Sequence, residues 1–260
     1  MRLFVACLLL LTSTFSLAAP KAELWAYWQT NNASSQQIVD HQRWQTLLDK
    51  YLKVQPNQTL FRYQAVSQND RYELSRYIRD LADKDPRQLN RNEQFAYWVN
   101  LYNAMTVQLI LDNYPVKSIT KLGGFFSFGP WNEKLITISG QKLSLNDIEH
   151  RILRPIWQDP RIHYAVNCAS LGCPDLLPTA FTSKNNGSLL EQAAHRFINS
   201  SKGVSTTGTS TRLSSIYDWY SSDFGDTSQL QDHINQYHQG ATIQLNKVRY
   251  DYNWSLNEVR

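Results

Sequence analysis

From Asp40 onward, apolar residues recur three and four apart: Trp44, Leu47, Leu48, Tyr51 and Leu52. That is the period of one buried helix face. A second run from Gln68 to Ala82 aligns Tyr72, Leu74, Tyr77, Ile78 and Leu81, and Asp85-Pro86 ends it. A third begins at Asn90, with Glu93 three residues later in a capping-box-like start. It carries Phe95, Trp98, Val99, Tyr102, Val107, Leu109 and Ile110 and stops near Tyr114-Pro115. Nearly every face of this third helix is apolar or aromatic, which places it at the domain's centre. Trp98, Tyr97 and Tyr102 are read as core.

The second half alternates shorter signals. Lys134 to Ile138 predicts a strand, Gly140 a turn, and Ser144 the cap of a helix from Leu145 to Leu153 with Asp147 in its first turn. Ile162 to Val166 reads as a buried strand and Leu189 to Ile198 as a helix. Leu213 to Tyr220 is a short apolar segment, Leu230 to Tyr237 a last helix, and Ile243 to Trp254 a terminal strand or hairpin. Helices early and strands late predict an α+β fold: one compact domain with a helix-rich N-terminal half on a small, mostly antiparallel sheet. The expected organisation is a leader at 1–18, a polar lead-in at 19–39 and a single domain at 40–257.

The leader changes the picture of where the protein works. Arg2, the apolar stretch Leu3 to Leu11 and Ser16-Leu17-Ala18 follow the plan of a secretory signal peptide cut after Ala18. The apolar stretch is about half of the ~20 residues that a membrane-spanning helix needs. The expectation is a periplasmic or secreted protein with no stable membrane anchor after cleavage. Removing Arg2 lowers the formal charge of +4 by one. That is too little to argue for nucleic acid, and no Lys/Arg-rich block appears.

Cleavage also removes Cys7 and leaves Cys168 and Cys173. They lie in the densest run of reactive side chains, His163-Tyr164-Ala165-Val166-Asn167-Cys168-Ala169-Ser170-Leu171-Gly172-Cys173-Pro174. Loops that leave regular elements commonly present catalytic groups. A thiol becomes a nucleophile when a histidine, a cation or a helix N-terminus favours the thiolate. His163 and His150 are the expected partners, with Asp147 one turn before His150 to orient it. In a continuous strand His163 and Cys168 face opposite sides, so that pairing needs the strand to end near Asn167. Other readings stay open: an inert buried thiol, a Cys168–Cys173 disulfide closing a very small loop, or zinc held by His163, Cys168 and Cys173. No metal or other cofactor is expected. Glu93, Asn100 and Asn103 share one region of the central helix. They either tie it to neighbouring loops or line a substrate pocket with Asn167. Asp223-Phe224-Gly225 lacks every companion motif of a kinase metal site.

At these residues the chain resembles the family catalogued as domain of unknown function 547. The resemblance rests on Phe95-Ala96-Tyr97-Trp98-Val99-Asn100-Leu101-Tyr102-Asn103-Ala104, on Asp147-Ile148-Glu149-His150, and on Asp159-Pro160-Arg161-Ile162-His163 leading to Asn167-Cys168. It extends to Trp219-Tyr220, Asp223-Phe224-Gly225 and Tyr252-Asn253-Trp254-Ser255-Leu256-Asn257, spanning about 40 to 257. It implies that Cys168 is the commoner cysteine and that the place of Cys173 is often serine, which favours a role for Cys168 over an obligatory disulfide. The element order is also loosely similar to papain and transglutaminase folds. Those enzymes carry their cysteine where this chain has Asn92, Glu93 and Gln94, so no catalytic residue transfers from them.

Two expectations follow. One is an exported thiol hydrolase or acyl/amide transferase with Cys168 as nucleophile, His150 or His163 as base, and Asn167 or turn amides as oxyanion donors. The other is a non-catalytic domain that binds a small molecule or peptide, with a structural Cys168.

Overall fold

Three amphipathic stretches become α1 (Gln42–Tyr51), α2 (Gln68–Ala82) and α3 (Arg91–Asp112). The computed structural model describes residues 20–124, 128–208 and 210–259. The expected leader at 1–18, and Phe125-Phe126-Ser127, lie outside them. A hairpin, β1 (Leu52–Val54) and β2 (Thr59–Phe61), joins α1 to the segment before α2. The Asn90 side chain accepts from the Glu93 N–H at 3.0 Å, fixing where α3 starts. The reciprocal half of the box is absent, because the Glu93 carboxylate accepts instead from the Val39 N–H at 2.8 Å. Trp98, Tyr97 and Tyr102 are buried, and α3 is the spine against which α2 packs.

The polar lead-in is part of this core. Trp28 is buried and meets Trp98 edge-on at 5.2 Å. Its neighbours lie along an unusual helix. After the hairpin β3 (Ile136–Ile138) and β4 (Gln141–Leu143), Ser144 and Asp147 cap each other, and Asp147–Leu153 winds as a π-helix that continues into α4 (Arg154–Trp157). A π-helix pairs residue i with i+5 and an α-helix with i+4. Pro155 has no N–H to offer, so the carbonyls of His150 and Arg151 lose that partner. The lead-in supplies it: Glu23 N–H donates to His150 and Trp25 N–H to Arg151, each at 2.9 Å.

The stretch expected as a strand at 162–166 is instead a helical turn, α5 (Ile162–Ala165). Asp159 accepts from the Arg161 N–H at 2.9 Å and starts the turn, and the Asp159, Pro160 and Arg161 carbonyls accept from the next residues. Ile162 to Ala165 are buried on all sides. A short, wholly buried run fits a strand or a helix equally, and Asp159-Pro160 decided for the helix.

α6 (Asn186–Ile198) follows, then β5 (Val204–Thr207), antiparallel to β6 (Ser210–Ser214). The apolar segment at 213–220 divides between the end of β6 and α7 (Ile216–Trp219). α8 (Ser221–Phe224) and α9 (Thr227–Tyr237) complete the helices, and β7 (Val248–Asp251) pairs in parallel with β6. The class is α+β; the strands are mostly antiparallel and divide among three small sheets. No helix among the described residues is long and apolar enough to cross a membrane.

Candidate active site

Cys168 sits in a loop held from both ends. The Asn103 side chain bridges α3 to it, donating to the Ala165 carbonyl at 2.9 Å and accepting from the Asn167 N–H at 2.8 Å. Asn167 folds the loop on itself, donating to the Pro174 carbonyl at 2.7 Å and accepting from the Ala169 N–H at 2.8 Å. The C-terminal segment clamps the outside: Leu171 N–H donates to Ser255 and Gly172 N–H to Asn253, each at 2.8 Å. A Cβ at Gly172 would lie 2.7 Å from the Asn253 nitrogen, so the approach requires glycine. The clamp leaves Ala169 at φ 59°, in the left-handed region. For a non-glycine residue this costs roughly 1–2 kcal/mol, and such strain concentrates at functional sites.

Within this frame three groups meet. Cys168 Sγ lies 3.0 Å from the Tyr252 hydroxyl and 3.2 Å from the Ser170 hydroxyl, which are 2.9 Å from each other. The Cys168 N–H donates to Cys173 Sγ at 2.9 Å. Burial pushes the Cys168 thiol up, but hydrogen bonds from Cys173, Ser170 and Tyr252 outweigh it and bring the group down to about 7. Cys173 is buried and moves the other way, raised by burial and by its neighbour. Both are free thiols, and Cys168 is half-buried. Tyr252 also lines a surface groove of about 540 Å³ with Lys117, Lys121 and Trp254. Trp254 stacks on Trp219 at 5.5 Å, giving this face an aromatic wall.

A second cluster is charged. Arg154 grips Asp223 with two bonds, Nε to Oδ2 at 2.5 Å and Nη2 to Oδ1 at 2.8 Å. Its Nη1 donates to His150 Nδ1 at 3.0 Å and to the Pro20 carbonyl at 2.7 Å. His163 Nε2 lies 2.8 Å from Asp223 Oδ2. Burial opposes charge on Asp223, yet the bonds from His163 and Arg154 hold its carboxyl well below the usual range. A guanidinium only donates, so His150 Nδ1 carries the lone pair and the neutral ring has its proton on Nε2. Burial lowers His150 to about 4, keeping it neutral at pH 7. Tyr220 covers His163 in a parallel stack at 4.0 Å, and Arg154 lies over the same ring at 4.9 Å. Glu149 is buried 3.8 Å from His163 Nδ1 and 3.9 Å from His150 Nδ1.

Several sequence expectations are redirected. Neither His150 nor His163 is within hydrogen-bond reach of Cys168; they face Arg154 and Asp223. Asp147 bonds Ser144, Lys134 and Arg151 rather than His150, while Glu149 is the acid beside the histidines. Four-residue neighbours do meet in this stretch, Asp147 with Arg151 and His150 with Arg154, so Asp147 is spent on Arg151 and on the Ser144 cap. The expected oxyanion donors are engaged: the Ala169, Leu171, Gly172 and Cys173 N–H groups and the Asn167 amide all bond within the clamp. Asn100 donates to and accepts from the Phe181 backbone at 2.8 and 3.0 Å, and Glu93 holds Val39. Asn103 and Asn167 do adjoin Cys168, as parts of its frame. Among the described residues no set of His, Cys, Asp or Glu is arranged to hold a metal. The roles of Tyr252, Ser170, Arg154 and Asp223 went unassigned in the sequence. Ser170, two residues after Cys168, was the one signal near the thiol; Tyr252 comes from the chain's far end.

Residues 86–198 match the profile of the family described as "Protein of unknown function, DUF547". These residues belong to the DUF547 family. The matched DUF547 stretch runs from the turn before α3 to the end of α6 and includes the Cys168 loop and both histidines. Asp223 and Tyr252, which complete the two clusters, lie beyond it. Neither the curated proteins nor the solved structures gave a match, so the papain- or transglutaminase-like arrangement has no support.

Proposed function

We propose that this DUF547 protein is an exported thiol-dependent hydrolase or acyl/amide transferase whose nucleophile is Cys168. The observation that carries the reading is the sulfur of half-buried Cys168 in contact with two hydroxyls, one of them on Tyr252, which lines an open groove. A sulfur so placed attacks an acyl carbon without a paired histidine, because a substantial fraction of it is thiolate near neutral pH. The Tyr252 and Ser170 hydroxyls take the part first expected of a histidine and of turn amides. They donate to the thiolate before attack, and to the oxyanion and leaving group as charge moves off sulfur. Aromatic Trp254 and cationic Lys117 and Lys121 in the groove suit an acyl substrate with an apolar and an anionic part. Export rests on Arg2, the apolar stretch Leu3 to Leu11 and the Ser16-Leu17-Ala18 cleavage pattern.

The test is a panel of activated aryl esters with mass mapping of the protein. An acyl group should appear on Cys168 with release of the phenol, and Cys168→Ser should abolish both. Failure of every ester to modify Cys168 sinks the acyl-transfer reading. A second reading, a non-catalytic binding domain, is favoured by the engagement of both histidines away from the thiol. It predicts ligand binding in the groove that survives Cys168→Ser unchanged.

A further inference from the structure

The buried Cys173 has no part in acyl chemistry, yet it is held against the reactive thiol. Cys168 donates its N–H to Cys173 Sγ at 2.9 Å, which brings the second sulfur against the residue that carries the first. Cys168 is the half-exposed member and Cys173 the buried one. An accessible thiol beside a shielded second thiol is the arrangement of a peroxide-reacting cysteine and its resolving partner. The Tyr252 and Ser170 hydroxyls, 3.0 and 3.2 Å from Cys168 Sγ, stand where an incoming peroxide's oxygens would need donors.

We propose that Cys168 and Cys173 form a dithiol site that reduces hydroperoxides, with Cys168 as the attacking sulfur and Cys173 as the resolving one. In the first step Cys168 sulfur attacks the terminal oxygen of R–O–O–H. The S–O bond forms, the O–O bond breaks, and the departing alkoxide takes up the proton lost from the Cys168 thiol, relayed through Tyr252 or water. The products are Cys168 sulfenic acid and R–OH. In the second step Cys173 sulfur attacks the Cys168 sulfur. The S–S bond forms, the S–O bond breaks, and hydroxide leaves with the Cys173 proton as water. Two thiols and one hydroperoxide give one disulfide, one alcohol and one water; an external dithiol returns the pair to the reduced form.

The site shares Cys168 with the proposed hydrolase but not its substrate, so the two fail separately. The reduced full chain is treated with stoichiometric hydrogen peroxide at pH 7 and mapped by mass spectrometry. The expected result is a Cys168–Cys173 disulfide, reversed by dithiothreitol, forming about tenfold faster than free cysteine oxidises because more of the thiol is ionised. Cys173→Ser should instead accumulate a Cys168 sulfenic acid that a 1,3-dione traps. In Cys168→Ser, Cys173 should stay reduced. Oxidation no faster than free cysteine, direct passage of wild type to Cys168 sulfinic acid, or equal oxidation of Cys173 without Cys168 would each overturn the proposal. If the disulfide forms but aryl esters never acylate Cys168, the hydrolase reading falls and this one stands; the converse pattern reverses them.

Discussion

The Cys168 triangle and the Arg154–Asp223 cluster are built from similar vocabulary and do opposite things. In the triangle every partner of the sulfur is a neutral hydroxyl or thiol, and Cys168 itself is half-buried. In the cluster, Arg154, Asp223, His150 and His163 answer one another under Tyr220, and Arg154 and both rings are buried. A set whose charges are paired in low dielectric is stable and unreactive, even with His163 Nδ1 left without a hydrogen bond; a set that leaves one polarised sulfur against a groove-lining tyrosine is the reverse. A histidine beside an aspartate resembles catalytic machinery, yet here it ties α5, α8 and the π-helix together, while the sulfur draws on Ser170 of its own loop and on Tyr252 from the C-terminal segment.

The sharpest way to break this contrast is Arg154→Met. It removes the partner of a largely buried carboxylate and the bond to the Pro20 carbonyl. Denaturant unfolding should show a loss of about 3–5 kcal/mol. A loss below ~1 kcal/mol would mean the cluster does not hold the helices.

Acid should act next on two buried histidines, His150 of the closed cluster and His41, which lies apart from it 2.6 Å from the Tyr77 hydroxyl. His41 and His150 are lowered by burial to about 4, against an ordinary 6.5. The unfolded chain therefore takes up their protons first. Stability is full above about pH 6.5 and falls as pH drops toward 4, by about 3 kcal/mol per histidine. Unfolding midpoints measured across that window check the sign, and a flat profile would contradict it.

Asn103→Ala joins the two regions' logic, since it leaves the Ala165 carbonyl and Asn167 N–H without partners. The expected loss is about 2 kcal/mol, with faster hydrogen exchange in the Cys168 loop. The smallest stability effect belongs to Tyr252→Phe, which removes one hydroxyl at a half-buried position. Its unfolding midpoint should shift by under ~1 kcal/mol even though the thiol's chemistry changes.

Where periodicity was long, the sequence was legible. The α2 boundaries and the Asn90 cap of α3 follow from spacing and capping residues alone. Short elements were not, because Ile162 to Ala165 carries no period and Asp159-Pro160 settled its form. The Cys168 loop was found from its density of reactive groups, but its activating partners were hidden by distance: Tyr252 is 84 residues away. The histidine pairing failed for another reason. Asp147 is spent on Arg151 and the Ser144 cap and His150 on Arg154, and Pro155 hands two carbonyls of the π-helix to the lead-in, which local propensity does not reveal.

The central claim is that a neighbouring thiol and two hydroxyls, not a histidine, make Cys168 reactive. Its most direct test is the pH dependence of Cys168 alkylation in the wild type and in a Ser170→Ala/Tyr252→Phe double variant, with mass mapping to exclude Cys173. The account predicts half-maximal reactivity near pH 7 in the wild type, moving toward the ordinary ~8.5 in the double variant. Identical profiles for the two proteins, or a wild-type thiol that titrates like free cysteine, would contradict it.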